Sequence, residues 1–125
     1  MTKNRPPSQR QLKAGELIRR TLADILRKEH LRDPDLEGVS VTISEVRPSP
    51  DLKHAIVYAA PLGGGDMEGM IRALNRSKKF LRGRLGREIE MKSTPALKFV
   101  ADTSFETATD MQKLLNRPDV KRDLD

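Results

Sequence analysis

From about Gln11 to Glu29, the residues Leu12, Leu17, Ile18, Leu22, Ile25 and Leu26 recur mainly at intervals of three and four, the period of an amphipathic helix. The helix should end before Asp33-Pro34, because the residue ahead of a proline is pushed out of helical geometry. After DPDLEG the period changes to two: Val39, Val41 and Ile43 alternate with Ser40, Thr42 and Ser44, as in a strand with one wet face. RPSPDLK reads as a turn, and HAIVYAA at 54–60 as a second strand, apolar on both faces near its middle. Strands this close should pair as an antiparallel hairpin. PLGGGDMEG is a loop offering Asp66 as a helix cap, and a helical region follows. MKSTP ends it, and ALKFVAD at 96–102 supplies a third strand with Leu97, Phe99 and Ala101 on one side. Thr103 or Ser104 then caps a last helix through Met111, Leu114 and Leu115. The order predicts an α+β domain, a small sheet covered on one face by helices.

One segment strains this pattern. On a straight helix over 67–87, Met67, Met70, Ile71, Leu74, Leu81 and Leu85 share a sector, and Arg72, Arg76, Lys79, Arg82 and Arg87 lie opposite. Lys78 lands inside the apolar sector and Phe80 well outside it. A kink near Ser77 to Lys79 would release Lys78 to solvent and help Phe80 inward. An unbroken helix would instead leave Lys78 snorkelling and Phe80 partly exposed. A break also presents backbone N–H groups at the start of a second helix, where Lys78, Lys79 and Arg82 make the end suited to a phosphate.

Charge sharpens this picture. Of the +6 net charge over 125 residues, 1–13 carry Lys3, Arg5, Arg10 and Lys13 with no acid, and 71–92 carry eight bases against Glu88 and Glu90. The rest, with 12 bases and 16 acids, is net negative. Such polarisation is what counterion release from a polyanion rewards. With one Tyr, three Phe and no Trp, a base-stacking platform is not the main mode of contact. There is no Cys, which removes disulfides and thiolate chemistry. No apolar run approaches the roughly 18 residues of a membrane span, and the N-terminal MTKNRPPSQRQ has no signal-peptide core. The expectation is a soluble cytoplasmic protein with no cofactor or metal: a flexible basic arm at 1–10, a folded domain at 11–115 and a disordered tail at 116–125.

The strongest recognisable segment is SPDLKHAIVY at 49–58 followed by PLG at 61–63, supported by ELIRRTLADIL, DPDL, ALNRSKKFLRGRLG and TPALKFVAD. With these the chain resembles the ribosome-binding factor A family over about 17–115. The resemblance implies a type II KH-like fold (α-β-β-α-kink-α-β) and a monomer that binds the immature small (30S) ribosomal subunit and its 16S rRNA. It further implies a role in late maturation and 5′-end processing, of most importance in cold shock. The family replaces the GxxG loop of KH domains with a kink around Ala-x-Gly; here the aligned triplet is Ser77-Lys78-Lys79. Shape and phosphate recognition is then expected, with RNA contacts at Arg72, Arg76, Ser77, Lys78, Lys79, Arg82, Arg84 and Arg87. Arg5, Arg10 and Lys13 form a second contact, and Lys53 and His54 can join from the hairpin, though His54 equally suits a structural place at a strand start.

Other classes fit less well. Asp51 and His54 are close in sequence, but no nucleophile or metal cluster accompanies them. His30 stands alone, and Asp33, Asp35 and Glu37 sit in a turn where capping and solvation account for them. A generic RNA-binding module or stable ribosomal protein has the same composition. A membrane-surface helix would need an uncommitted apolar stripe.

Overall fold

The computed structural model describes residues 6–29 and 31–104. Its elements are α1 (Gln9–Lys28), a 3-10 turn (Pro34–Leu36), β1 (Val41–Pro48), β2 (His54–Pro61), α2 (Met67–Arg76), α3 (Lys78–Glu88) and β3 (Ala96–Ala101). β2 is the central strand, antiparallel to β1 and parallel to β3. The order is the one expected for the KH-like fold, including the break between α2 and α3. Arg5, His30, the expected last helix beyond Ser104 and the 116–125 tail lie outside the described residues.

α1 begins two residues earlier than its apolar period indicates, because a capping box starts it. The Ser8 hydroxyl accepts from the Gln11 N–H at 3.1 Å and the Gln11 side chain accepts from the Ser8 N–H at 2.9 Å. Arg10 therefore stands on the first helical turn. The Gln11 amide also donates to the Pro48 carbonyl at 3.0 Å, pinning the start of α1 beside the end of β1. Where the two elements come closest, a Cβ built on Gly15 would lie 2.5 Å from the Val46 carbonyl oxygen.

The strict alternation from Val39 does not hold. β1 starts at Val41, and the Val39 N–H donates instead to the Leu36 carbonyl at 3.1 Å. A bulge between Ile43 and Glu45 makes Ser44 an extra residue, so the buried positions are Ile43, Val46 and Pro48. β2 and β3 turn Ala55, Val57, Ala59, Leu97 and Phe99 toward the helices, where they join Ile18, Leu22, Met70, Leu74, Leu81 and Leu85 in one core. Among the described residues nothing covers the other sheet face, where Ile56 and Lys98 are exposed and Arg47 lies over the Tyr58 ring at 5.2 Å. At the outer edge of β3 the Asn75 side chain accepts from the Phe99 N–H and donates to the Phe99 carbonyl, both at 2.9 Å. It stands where the peptide of a fourth strand would, satisfying that edge.

Candidate nucleic-acid interface

α2 ends and α3 begins at a single residue, Ser77. Its N–H is shared between the Ala73 and Leu74 carbonyls, each at 3.1 Å, and its own carbonyl accepts from the Leu81 N–H at 3.0 Å. The backbone there has φ −96° and ψ 4°. This is a negative-φ conformation available to any L-residue, so the break forms without glycine. The Ser77 hydroxyl makes no cap hydrogen bond to the first turn of α3. The break rephases the two apolar stripes: α2 buries Met70, Ala73 and Leu74, and α3 buries Leu81 and Leu85. Lys78 is exposed, as expected. Phe80 is not drawn inward and remains 48% exposed. The reason is geometric: once Leu81 faces the core, its preceding neighbour is rotated about 100° away.

Long-range pairing sorts the expected RNA-binding cations into two groups. The Arg76 guanidinium donates to both carboxylate oxygens of Asp33, at 3.0 and 2.9 Å, and to Asp35 at 2.8 Å. Arg84 reaches Glu29 at 2.8 Å and Glu88 at 3.6 Å, and its buried Nε has no hydrogen-bond partner. Arg72 lies 3.9 Å from Glu68. Arg82 donates twice to the Thr94 carbonyl, at 3.1 and 2.7 Å, anchoring α3 to the segment before β3. Lys78, Lys79 and Arg87 are exposed and have no ion-pair partner among the described residues.

Helical spacing places Lys79, Arg82, Gly83, Gly86 and Arg87 on the outer face of α3. No acid stands among them, since Glu88 is turned toward Arg84. A Cβ on Gly86 would meet the Thr94 hydroxyl at 2.8 Å, a packing reason for that glycine. A Cβ on Gly83 would meet nothing within 4 Å.

Two further groups gather near the β1–β2 turn. The Lys53 carbonyl accepts from the Ala96 N–H at 2.9 Å, two residues beyond the anchor of Arg82, so the exposed Lys53 and His54 adjoin the start of β3. Arg10 and Lys13 are exposed on the first turns of α1, on either side in sequence of the Gln11 that bonds Pro48. The turn itself is tightly bonded. Leu52 takes φ 59°, the single positive value among the described non-glycine residues. Asp51 accepts from the Ser49 hydroxyl at 2.6 Å and the Lys53 N–H at 3.0 Å, and these bonds hold its carboxyl below the usual range. Asp51 thus shapes the turn. Among the described residues no group of three or more His, Asp or Glu is placed to hold a metal.

Asp33 does more than cap its turn. Its bonds from Arg76, with a lesser one from the Asp35 N–H, hold its carboxyl below the ordinary 3.8. Because the folded value is depressed, the clamp's contribution is complete above 3.8 and is lost as pH falls through that lower value. An NMR titration should show the Asp33 carboxyl titrating below 3.8 in the wild type and moving back up in Arg76→Gln. A wild-type titration at or above 3.8 would contradict the clamp.

The fold and this face define a class: a KH-like α+β domain whose broken helix carries a one-sided basic surface. The family model for ribosome-binding factor A matches residues 10–115. Ribosome-binding factor A of Maricaulis maris is 61% identical over 119 residues, covering 95% of this chain and 84% of that protein. The crystal structure of ribosome-binding factor A from Thermus thermophilus superposes with a TM-score of 0.62 at 30% identity, covering 73% of this chain and 94% of that one. A homology model of the Thermus thermophilus factor, fitted into a cryo-EM map of a 30S–RbfA complex, superposes with a TM-score of 0.58 at 30% identity, covering 71% and 91%. The chain belongs to the ribosome-binding factor A family.

Proposed function

We propose that this protein is an assembly factor of the small ribosomal subunit. It binds the immature 30S particle through 16S rRNA, acts as a cytoplasmic monomer, and promotes late maturation and 5′-end processing, with its greatest importance in the cold. Catalysis is not part of this role. The observation that carries the reading is the acid-free face of α3, where Lys79 and Arg87, with Lys78 at the helix start, are exposed and unpaired among the described residues. The fitting of a Thermus relative into a 30S complex supports the choice of partner. Lys53, Arg10 and Lys13 extend the cationic surface from the domain at 11–115 and its basic arm. Arg76, Arg82 and Arg84 act mainly by holding α2 and α3 in place, whereas the exposed Arg72, paired only within α2, adds to the cationic surface.

Sedimentation of cell extract tests this. The protein should migrate substoichiometrically with free or immature small subunits, and an equal amount in translating ribosomes would overturn the reading in favour of a stable ribosomal protein. Binding to purified subunits should weaken with salt, the slope of log K against log salt growing by roughly 0.7 to 0.9 per phosphate contact. Salt-insensitive binding would point to protein contacts.

A further inference from the structure

On the surface of α3, Gly83 is ringed by the residues three and four positions away: Lys79, Phe80, Gly86 and Arg87. Helical side chains lean back over the preceding turn, so a side chain at 83 would lie over residues 79 and 80. None is there, and a Cβ would meet nothing within 4 Å. Phe80 is 48% exposed beside this gap. An interior helical glycine costs about 0.5 to 1 kcal/mol relative to alanine, and no packing among the described residues explains this one. The gap is thus free to take a group from a binding partner.

We propose that Phe80 is a stacking site for one unpaired nucleobase, kept open by Gly83 and flanked by Lys79 and Arg87, which take the phosphates on either side. The proposal rests on the RNA-binding reading above and assigns it a contact that phosphate attraction alone does not supply. An exposed ring beside the acid-free Lys79–Arg87 face of α3 suits a polyanion that also carries flat apolar groups, and a nucleic-acid single strand is such a ligand. The scarcity of aromatics argues against a multi-ring platform but leaves room for one ring.

The chain contains no Trp, so Phe80→Trp introduces a sole indole at the site. A 12-nucleotide single-stranded RNA should quench its fluorescence on binding, whereas inorganic polyphosphate should bind with little quenching. Phe80→Leu keeps an apolar side chain but loses the ring, and should lower affinity for the same RNA about tenfold. Gly83→Gln, which covers the ring while improving helix propensity, should do the same with no loss of thermal stability. If the RNA binds Phe80→Leu and Gly83→Gln as it binds the wild type, and the indole is not quenched, the stacking site is wrong although RNA binding stands. Equal quenching by polyphosphate also overturns it. If neither the RNA nor the small subunit binds the wild-type protein, the underlying reading falls as well.

Discussion

Replacing Lys78, Lys79 and Arg87 together by glutamate is expected to weaken binding to the small ribosomal subunit about a thousandfold while leaving thermal unfolding nearly unchanged. Each is exposed, and none has an ion-pair partner among the described residues. Exposed substitutions away from caps and packed positions usually shift stability by no more than about 0.5 kcal/mol. A charge-assisted contact to phosphate contributes roughly tenfold in affinity, so three lost contacts compound to about a thousandfold, and reversed charge adds repulsion. The salt slope should also fall by roughly 2 to 3 units. Arg76→Glu gives the contrasting result. It breaks the clamp onto Asp33 and Asp35 and places three acids together, so its main effect should be on stability near the 33–36 turn. Filter binding at two salt concentrations, with calorimetry of each variant, separates the two groups. If Arg76→Glu abolishes binding with its fold intact while the triple variant binds normally, the sorting of cations by their partners is wrong.

That sorting shows how far the sequence could be read. Local periods identify α1, both hairpin strands, β3 and the basic helix, because burial of one face imposes a period on nearby residues. The misfit of Lys78 and Phe80 on a straight wheel locates the break at Ser77. It does not tell whether both misfits are relieved; only Lys78 is, because Leu81 takes the core position beside Phe80. The bulge at Ser44 shows in the sequence only as a break in the alternation, two polar residues in a row, and either Ser44 or Glu45 could be the extra one. The partners of Arg76 lie 43 and 41 residues away, and Asn75 meets Phe99 across 24. Such contacts depend on how elements pack, so a charge count along the chain treats Arg76 and Lys79 alike. Gly83 carries a readable signal, an interior helical glycine on an exposed face, but only the open space around it separates it from Gly86.

The two helical glycines at 15 and 83 should answer the same substitution with opposite signs. Intrinsic propensity favours alanine over glycine by about 0.5 to 1 kcal/mol in either helix. At Gly83 nothing among the described residues opposes that gain, so Gly83→Ala should raise the melting temperature by roughly 4 °C. At Gly15 the new methyl would lie 2.5 Å from the Val46 carbonyl oxygen and 3.2 Å from Pro48 Cδ. The obstacle is strand backbone, which cannot rotate aside as a side chain does, so α1 must back away from β1. That movement loosens Ile18 and Leu22, both fully buried, and the hydrogen bond from Gln11 to Pro48. Overpacking of this kind costs about 1 to 3 kcal/mol even where side chains can adjust. Gly15→Ala should therefore lose about 2 kcal/mol net, a fall in melting temperature of roughly 10 °C, and Gly15→Val should lose more. Calorimetry of the two alanine variants side by side decides the matter. A Gly15→Ala protein as stable as the wild type would mean that α1 does not need its close approach to β1.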